Sequence, residues 1–122
     1  MSLLNKEKIF TLLRGYHENL FPAVFSSEAM RRLRIELEVL EDQITSMALS
    51  LVSGKSVFSD SSEELHLFQK KVSILPNGDR KEDQDRNLFS SKISQLLEIL
   101  SVAKEYSFRL KTVRVAKIAK AV

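Results

Sequence analysis

The chain has 122 residues, of which 43% are hydrophobic and 29% charged, with no cysteine, no tryptophan, three glycines and two prolines. This size and composition predict one domain with a modest core, and the shortage of helix breakers favours long helices over a many-turned β fold. The missing cysteine excludes disulfides, thiolate nucleophiles and cysteine-based zinc sites. No apolar run approaches the roughly 20 residues of a membrane span, and no secretory h-region opens the sequence, so we expect a soluble cytoplasmic protein without an integral membrane segment.

The net charge of +3 is unevenly distributed along the chain. Residues 1–78 carry nine basic and ten acidic side chains, whereas residues 79–122 carry ten and six. From Lys104 onward there are six basic residues and one acidic residue, Glu105. The basic excess is therefore a property of the C-terminal segment and not of the whole surface.

The first predicted helix begins at Asn5, a good N-cap, and ends near Pro22. Its apolar stripe comprises Ile9, Leu13, Tyr16 and Leu20. Gly15 lies inside the helix at a cost of about 1 kcal/mol relative to alanine, which suggests a close crossing with another helix. We expect one end of the core to be closed by the apolar residues of the next link, which are Phe21, Val24 and Phe25.

A long second helix is predicted from Ser27 to Ser53. Its apolar residues recur at alternating spacings of three and four, the heptad pattern of helices that pack side by side. This heptad seam consists of Met30, Leu33, Leu37, Leu40, Ile44, Met47 and Leu51. Ser26 or Ser27 is expected to cap the start, and Gly54 to end the helix in a left-handed conformation.

A shorter third helix follows the polar link over residues 54–62. Ser61 and Glu64 have the spacing of a capping box, and Asp60 with Glu63 offers a second register. The apolar stripe of this helix comprises Leu65, Phe68, Val72 and Leu75. The sequence Pro-Asn-Gly-Asp over residues 76–79 is a strong turn signal, so the helix is predicted to end before it.

The last helix is predicted from about Asn87 towards the end of the chain. The polar run before it fits either a loop or exposed helical turns, and we expect a loop that becomes helical near Asp85. The core stripe comprises Phe89, Ile93, Leu96, Leu100 and Ala103, followed after a phase slip by Tyr106, Leu110 and Val113. Four amphipathic helices, two long and two shorter, predict an all-α antiparallel four-helix bundle, a single domain over residues 1–122. The pattern stops without a C-cap, which is typical of a piece of a longer chain.

No catalytic or ligand-binding motif is found. His17 and His66 are the only histidines, too few for a convincing metal site. Glu63 and His66 have the Glu-x-x-His spacing of di-iron bundles, but the second copy of that motif is missing. Gly54-Lys55-Ser56 lacks both the upstream glycine and the strand of a phosphate-binding loop. We therefore predict no enzyme, no catalytic residue, no metal and no cofactor.

The end of the last helix carries a second apolar stripe with basic residues broadly opposite. The stripe, called here the terminal stripe, comprises Phe108, Val115, Ile118 and Val122. The basic residues are Arg109, Arg114, Lys117 and Lys120. One alternative is that these cations keep the helix solvated and complement the negative end of its dipole. Another is that the basic amphipathic helix lies against an anionic membrane surface.

Two functions remain open on the sequence. The first is a non-enzymatic helical protein–protein interaction or oligomerisation module that docks the terminal stripe on a protein partner or on a second copy, forming a homo-oligomer. The alternative is a nucleic-acid-binding protein whose four basic residues contact phosphates. Binding of a small ligand inside the bundle has no support beyond the fold type, because bundle interiors are normally packed.

Overall fold

The computed structural model describes residues 6–21, 27–55, 57–75 and 80–121, and in the last range the side chains of residues 81 and 83–110. The chain forms four helices, α1 (Lys6–Glu18), α2 (Glu28–Val52), α3 (Ser62–Ser73) and α4 (Arg80–Ala121). No β-strand occurs in these ranges. Two long and two shorter helices confirm the predicted all-α four-helix bundle.

Helix α4 packs against each of the other three helices and so organises the core. Its direction is opposite to that of α1. The Gln95 side chain approaches the carbonyl oxygen of Gly15 at 3.4 Å, whereas Phe21, which follows α1, packs on Phe89 with ring centroids 5.2 Å apart. Later residues of α1 therefore lie beside earlier residues of α4, so these two helices are antiparallel. This is the arrangement of the first and last helices in a bundle whose successive helices are joined by short links.

The predicted core faces are the observed ones. All members of the heptad seam on α2 are buried or half-buried, as are the stripe of α3 and the described members of the α4 stripe. The largest fully buried side chains are Tyr16, Phe89, Ile9, Met30, Leu37, Ile44, Leu51, Leu65, Ile93, Leu96 and Ile99. The prediction for α1 was wrong at Leu20, which lies beyond the end of the helix and is 78% exposed.

Local capping explains where α2 and α3 begin and end. The Ser27 hydroxyl accepts a hydrogen bond from the N–H three residues later at 3.2 Å, and Gly54 adopts φ of 74° after the helix, as predicted. The Ser61 hydroxyl makes no capping hydrogen bond. The Asp60 carboxylate instead accepts from the Ser62 N–H at 3.0 Å, so the capping box at Ser61 was wrong and the aspartate takes that role.

Helix α4 begins at Arg80, so the expected loop before Asp85 was wrong. Asp85 is only 5% exposed, and the half-buried Arg86 guanidinium donates a hydrogen bond of 3.2 Å to the Leu75 carbonyl beyond α3. These contacts link the first turns of α4 to the end of α3. These contacts stabilise the helical conformation of the polar run at the start of α4, where the sequence pattern alone does not distinguish a helix from a loop.

A Cβ placed at Gly15 would meet no neighbouring atom within 4 Å, so the suggestion of a close helix crossing there was wrong. Phe21 is half-buried against the core, as expected, whereas Asn5, Val24 and Phe25 lie outside the described residues.

Helix α4 continues unbroken through the phase slip after Ala103. Among the described helices, none is both long and apolar enough to cross a membrane.

Candidate interaction surface

An open apolar groove runs between α2 and α3. Two depressions of about 520 and 370 Å³ follow one another along it and share Lys71. The apolar lining, which defines the α2–α3 groove, consists of Ala29, Leu33, Val39, Leu40, Leu67, Phe68, Ile74 and Leu75. Because both depressions open broadly to solvent, the groove suits an elongated helical ligand better than an enclosed small molecule.

The walls of the groove expose large apolar side chains. Val39 on α2 is 56% exposed, Leu67 on α3 is 54% exposed, and Ile74, the residue that follows α3, is 79% exposed. The floor is formed by Leu40 and Phe68, which also touch the bundle core. Scattered exposed apolar residues are ordinary on protein surfaces, but these residues lie together along one pair of helices. The arrangement is therefore a candidate interaction surface.

Charged residues divide the α2–α3 groove into two ends. Lys71 Nζ lies 3.1 Å from Glu36 Oε2 and bridges the two helices where the depressions meet. Beyond this pair, Glu64 lines the end near the start of α3. Arg32 lines the opposite end, where Glu28 lies 3.7 Å away. These exposed ion pairs add little to stability, so their main effect is on the potential that a partner meets.

The terminal stripe predicted from the sequence is only partly described. Phe108 is 71% exposed, although Tyr106 and Ser107 just before it are buried and Leu110 is half-buried. The core side of α4 thus extends at least to Leu110, with Phe108 on the other side. Val115 and Ile118 belong to the helical backbone of α4, but their side chains and Val122 lie outside the described residues.

The predicted basic site has one described member. Arg109 pairs with Glu105 at 2.6 Å, one turn earlier on the same helix, and both side chains are about half exposed. The pair neutralises part of the charge that a phosphate would meet. The side chains of Arg114, Lys117 and Lys120 lie outside the described residues.

A buried group of cations and aromatic rings lies where α1, α2 and α4 meet. Lys92 is 4% exposed, and its ammonium lies 3.9 Å from the ring centroid of Tyr16 and 4.8 Å from that of Phe21. The Arg34 guanidinium lies 4.4 Å from the Phe21 centroid and pairs with the Glu41 carboxylate. Cation–π contacts and one ion pair thus stabilise these cations away from water.

The electrostatics of this group are dominated by burial. Burial first, and then the Glu41 carboxylate, raise the pKa of the Tyr16 hydroxyl well above its ordinary value, while Arg34 acts in the opposite direction. Burial likewise lowers the pKa of Lys92, opposed by the Glu41 charge. None of the described depressions reaches these residues. The contacts described for this group join α1, α2 and α4 within the bundle.

Neither histidine belongs to a metal site in the described part of the chain. His17 and His66 are exposed, and no group of three or more potential metal ligands is found among the described residues. Glu63 and His66 both point from the surface of α3, as their exposure shows, and not into the bundle core where di-iron ligands lie.

Sequence reasoning missed the α2–α3 groove although its signal was present. Leu67 and Ile74 are seven residues apart, two helical turns, and lie off the core stripe of α3. Val39 likewise lies off the heptad seam of α2. The pattern shows two extra apolar positions on one face but not which helix stands beside them. Pairing α2 with α3 is what makes these residues one surface.

Comparison with protein-family models, with curated proteins and with solved structures finds no match for this chain. Functional inference therefore depends on the residues and geometry described above.

Proposed function

We propose that this chain is a non-enzymatic helical interaction module that binds apolar helix faces of other protein chains. One observation supports the proposal most directly: large apolar side chains of α2 and α3 stand exposed on both walls of an open groove. By contrast, the heptad seam of α2, the stripe of α3 and the described core stripe of α4 are turned inward and covered.

The physical basis is burial of exposed apolar surface. Each of Val39, Leu67 and Ile74 leaves more than half of its side chain in water. Covering that surface releases about 25 cal/mol per Å², and the charged residues at the rim set orientation more than affinity. An amphipathic helix with apolar residues one turn apart has the shape that two neighbouring helices accept.

The terminal stripe remains a second contact surface in this proposal. Phe108 is exposed on α4 on the side away from the core, and the sequence continues with apolar residues at Val115, Ile118 and Val122. Both surfaces serve the same kind of partner, an apolar helix face. A direct experiment can therefore rank them by substitution.

The test uses a displayed library of amphipathic helices selected against the intact chain. We expect selected helices to lose at least tenfold in affinity when Leu67→Glu places a charge on the groove wall, because a buried charge without a partner is unfavourable. Leu20→Glu is the matched control, since Leu20 is equally apolar, 78% exposed and absent from the groove lining. Phe108→Glu reports on the terminal stripe.

The proposal fails if the selection gives no helical binder and the chain also remains monomeric at high concentration. It also fails if every binder tolerates both Leu67→Glu and Phe108→Glu. Circular dichroism of each variant confirms that the bundle is folded before affinity is compared.

A further inference from the structure

We propose that the ligand of the α2–α3 groove is the same groove of a second copy, giving a two-fold symmetric dimer. This inference rests on the proposed function and names its partner. A two-fold interface requires a surface that is complementary to itself, with each contact occurring twice. The groove meets that requirement in the order of its charges.

The charge order is acidic at one end, balanced in the middle and basic at the other. Glu64 lies at the first end and makes no ion pair among the described residues. The Lys71–Glu36 pair occupies the middle at 3.1 Å. At the second end, the Glu28 carboxylate pairs closely with Arg31. Arg32 is 77% exposed and has only a long contact of 3.7 Å to the same carboxylate, so this end keeps a positive charge. Both end charges therefore have capacity for a better partner.

A two-fold axis that lies in the interface and crosses the groove reverses the direction of the helices between the copies. The acidic end of one copy then faces the basic end of the other. At about 1.5 Å per residue, Glu64 lies about 10 Å from the level of the Lys71–Glu36 pair, and Arg32 lies about 6 Å from it on the other side. An axis slightly towards Val39 from this pair makes the two distances equal. Packed helices lie about 8–10 Å apart, a separation that an arginine and a glutamate side chain bridge when they extend towards each other.

The same axis position brings the apolar walls to the centre of the interface. Val39 and Leu67 lie within about one helical turn of the axis, so they would meet their counterparts on the second copy. Apolar side chains at the centre with charges at the rim is the usual anatomy of a specific interface. A parallel arrangement of the copies would instead place acidic end beside acidic end, which like-charge repulsion disfavours.

Sedimentation equilibrium of the intact chain over a wide concentration range tests the inference with charge swaps. We expect the wild type to dimerise reversibly, and Glu64→Arg or Arg32→Glu alone to weaken the dimer at least tenfold, because each change places two like-charge contacts across the two-fold axis. The double variant with both swaps should regain most of the wild-type affinity. The matched controls make the same charge changes outside the groove lining: Glu63→Arg lies one residue from Glu64, and Arg14→Glu lies on the exposed surface of α1.

Each result decides a specific point. Dimerisation that ignores both single swaps, or a double variant no tighter than the single ones, overturns the groove-to-groove arrangement. A strict monomer also overturns it, while helical binders that remain sensitive to Leu67→Glu leave the proposed function intact. Failure of both the dimer and the helix selection removes the proposed function as well.

Discussion

Replacing Tyr16 with phenylalanine isolates the energetic role of one buried hydroxyl. Tyr16 is 1% exposed, and its Oη makes no hydrogen bond of acceptable geometry within the described structure. An unsatisfied buried hydroxyl costs about 1–3 kcal/mol. The ring itself, which carries the cation–π contact with Lys92, is retained in Tyr16→Phe. We therefore expect the variant to be more stable than the wild type by about 1 kcal/mol at pH 7.

The pH dependence gives the same prediction a second, independent measurement. The pKa of Tyr16 is raised in the folded state by burial and by the Glu41 carboxylate, so the folded chain keeps its proton when the unfolded chain loses it. The retained proton contributes to the free energy of unfolding. This contribution is fully present below the tyrosine pKa of the unfolded chain, about 10, and is lost as the pH rises above that value. At pH 11 the wild type should have lost about 1.4 kcal/mol through this group, and Tyr16→Phe should not show that part of the loss.

The assay is urea denaturation followed by far-ultraviolet circular dichroism at pH 7, 9 and 11. Subtracting the variant from the wild type at each pH removes the contributions that both chains share, including that of the lowered pKa of Lys92, which changes stability in the opposite direction. The reasoning is refuted if Tyr16→Phe is destabilised by 1 kcal/mol or more at pH 7. That outcome would mean that the hydroxyl donates a strong hydrogen bond to Glu41. A difference that does not change between pH 9 and 11 refutes the raised pKa.

The remaining predictions concern helix ends, helix interiors and the basic segment. Gly15→Ala should stabilise the chain by about 1 kcal/mol, since an added Cβ meets nothing within 4 Å. Gly54→Ala should destabilise the chain by about 1 kcal/mol because the backbone φ angle is 74° there. Thermal melts of the two variants should therefore show opposite shifts in Tm. Ser27→Ala should cost about 1 kcal/mol in urea denaturation by removing the cap of α2. Ser46→Ala, at an exposed position inside the same helix, is the comparison. A salt titration with generic DNA and RNA tests the alternative function: binding should be absent at physiological salt, and strong binding that falls steeply with salt and is lost on replacing the basic residues with glutamine would contradict the interaction-module proposal. The residues replaced in that test are Arg109, Arg114, Lys117 and Lys120.

The helices and their buried faces follow from short-range rules that act on neighbouring residues. The heptad seam of α2 is buried because residues three and four apart lie on one face of any α-helix. Gly54 ends α2 because only glycine adopts positive φ without cost. These features need no knowledge of the partner helix, and so they were predictable.

The errors occur where a contact with a distant residue changes a local preference. The polar run at the start of α4 is helical because Asp85 is buried and Arg86 donates to Leu75. Leu20 continues the apolar spacing of α1, yet the helix ends two residues before it and leaves it in solvent. Periodicity reports which residues share a face but not where a helix stops when the stop depends on packing.

The candidate surface shows the same division. The amphipathic spacing along this chain was sufficient to predict the number of helices. It also predicted which sides of α2, α3 and α4 face the core, since each of these features depends on the geometry of a single helix. The α2–α3 groove depends on two helices together: Val39 and Leu67 are far apart in sequence, and each looks like an isolated exposed residue until the bundle places them on facing walls. The burial of Lys92 of α4 against Tyr16 of α1 and Phe21 of the following link is likewise a product of tertiary packing, because no pattern of nearby residues distinguishes that lysine from the solvated ones.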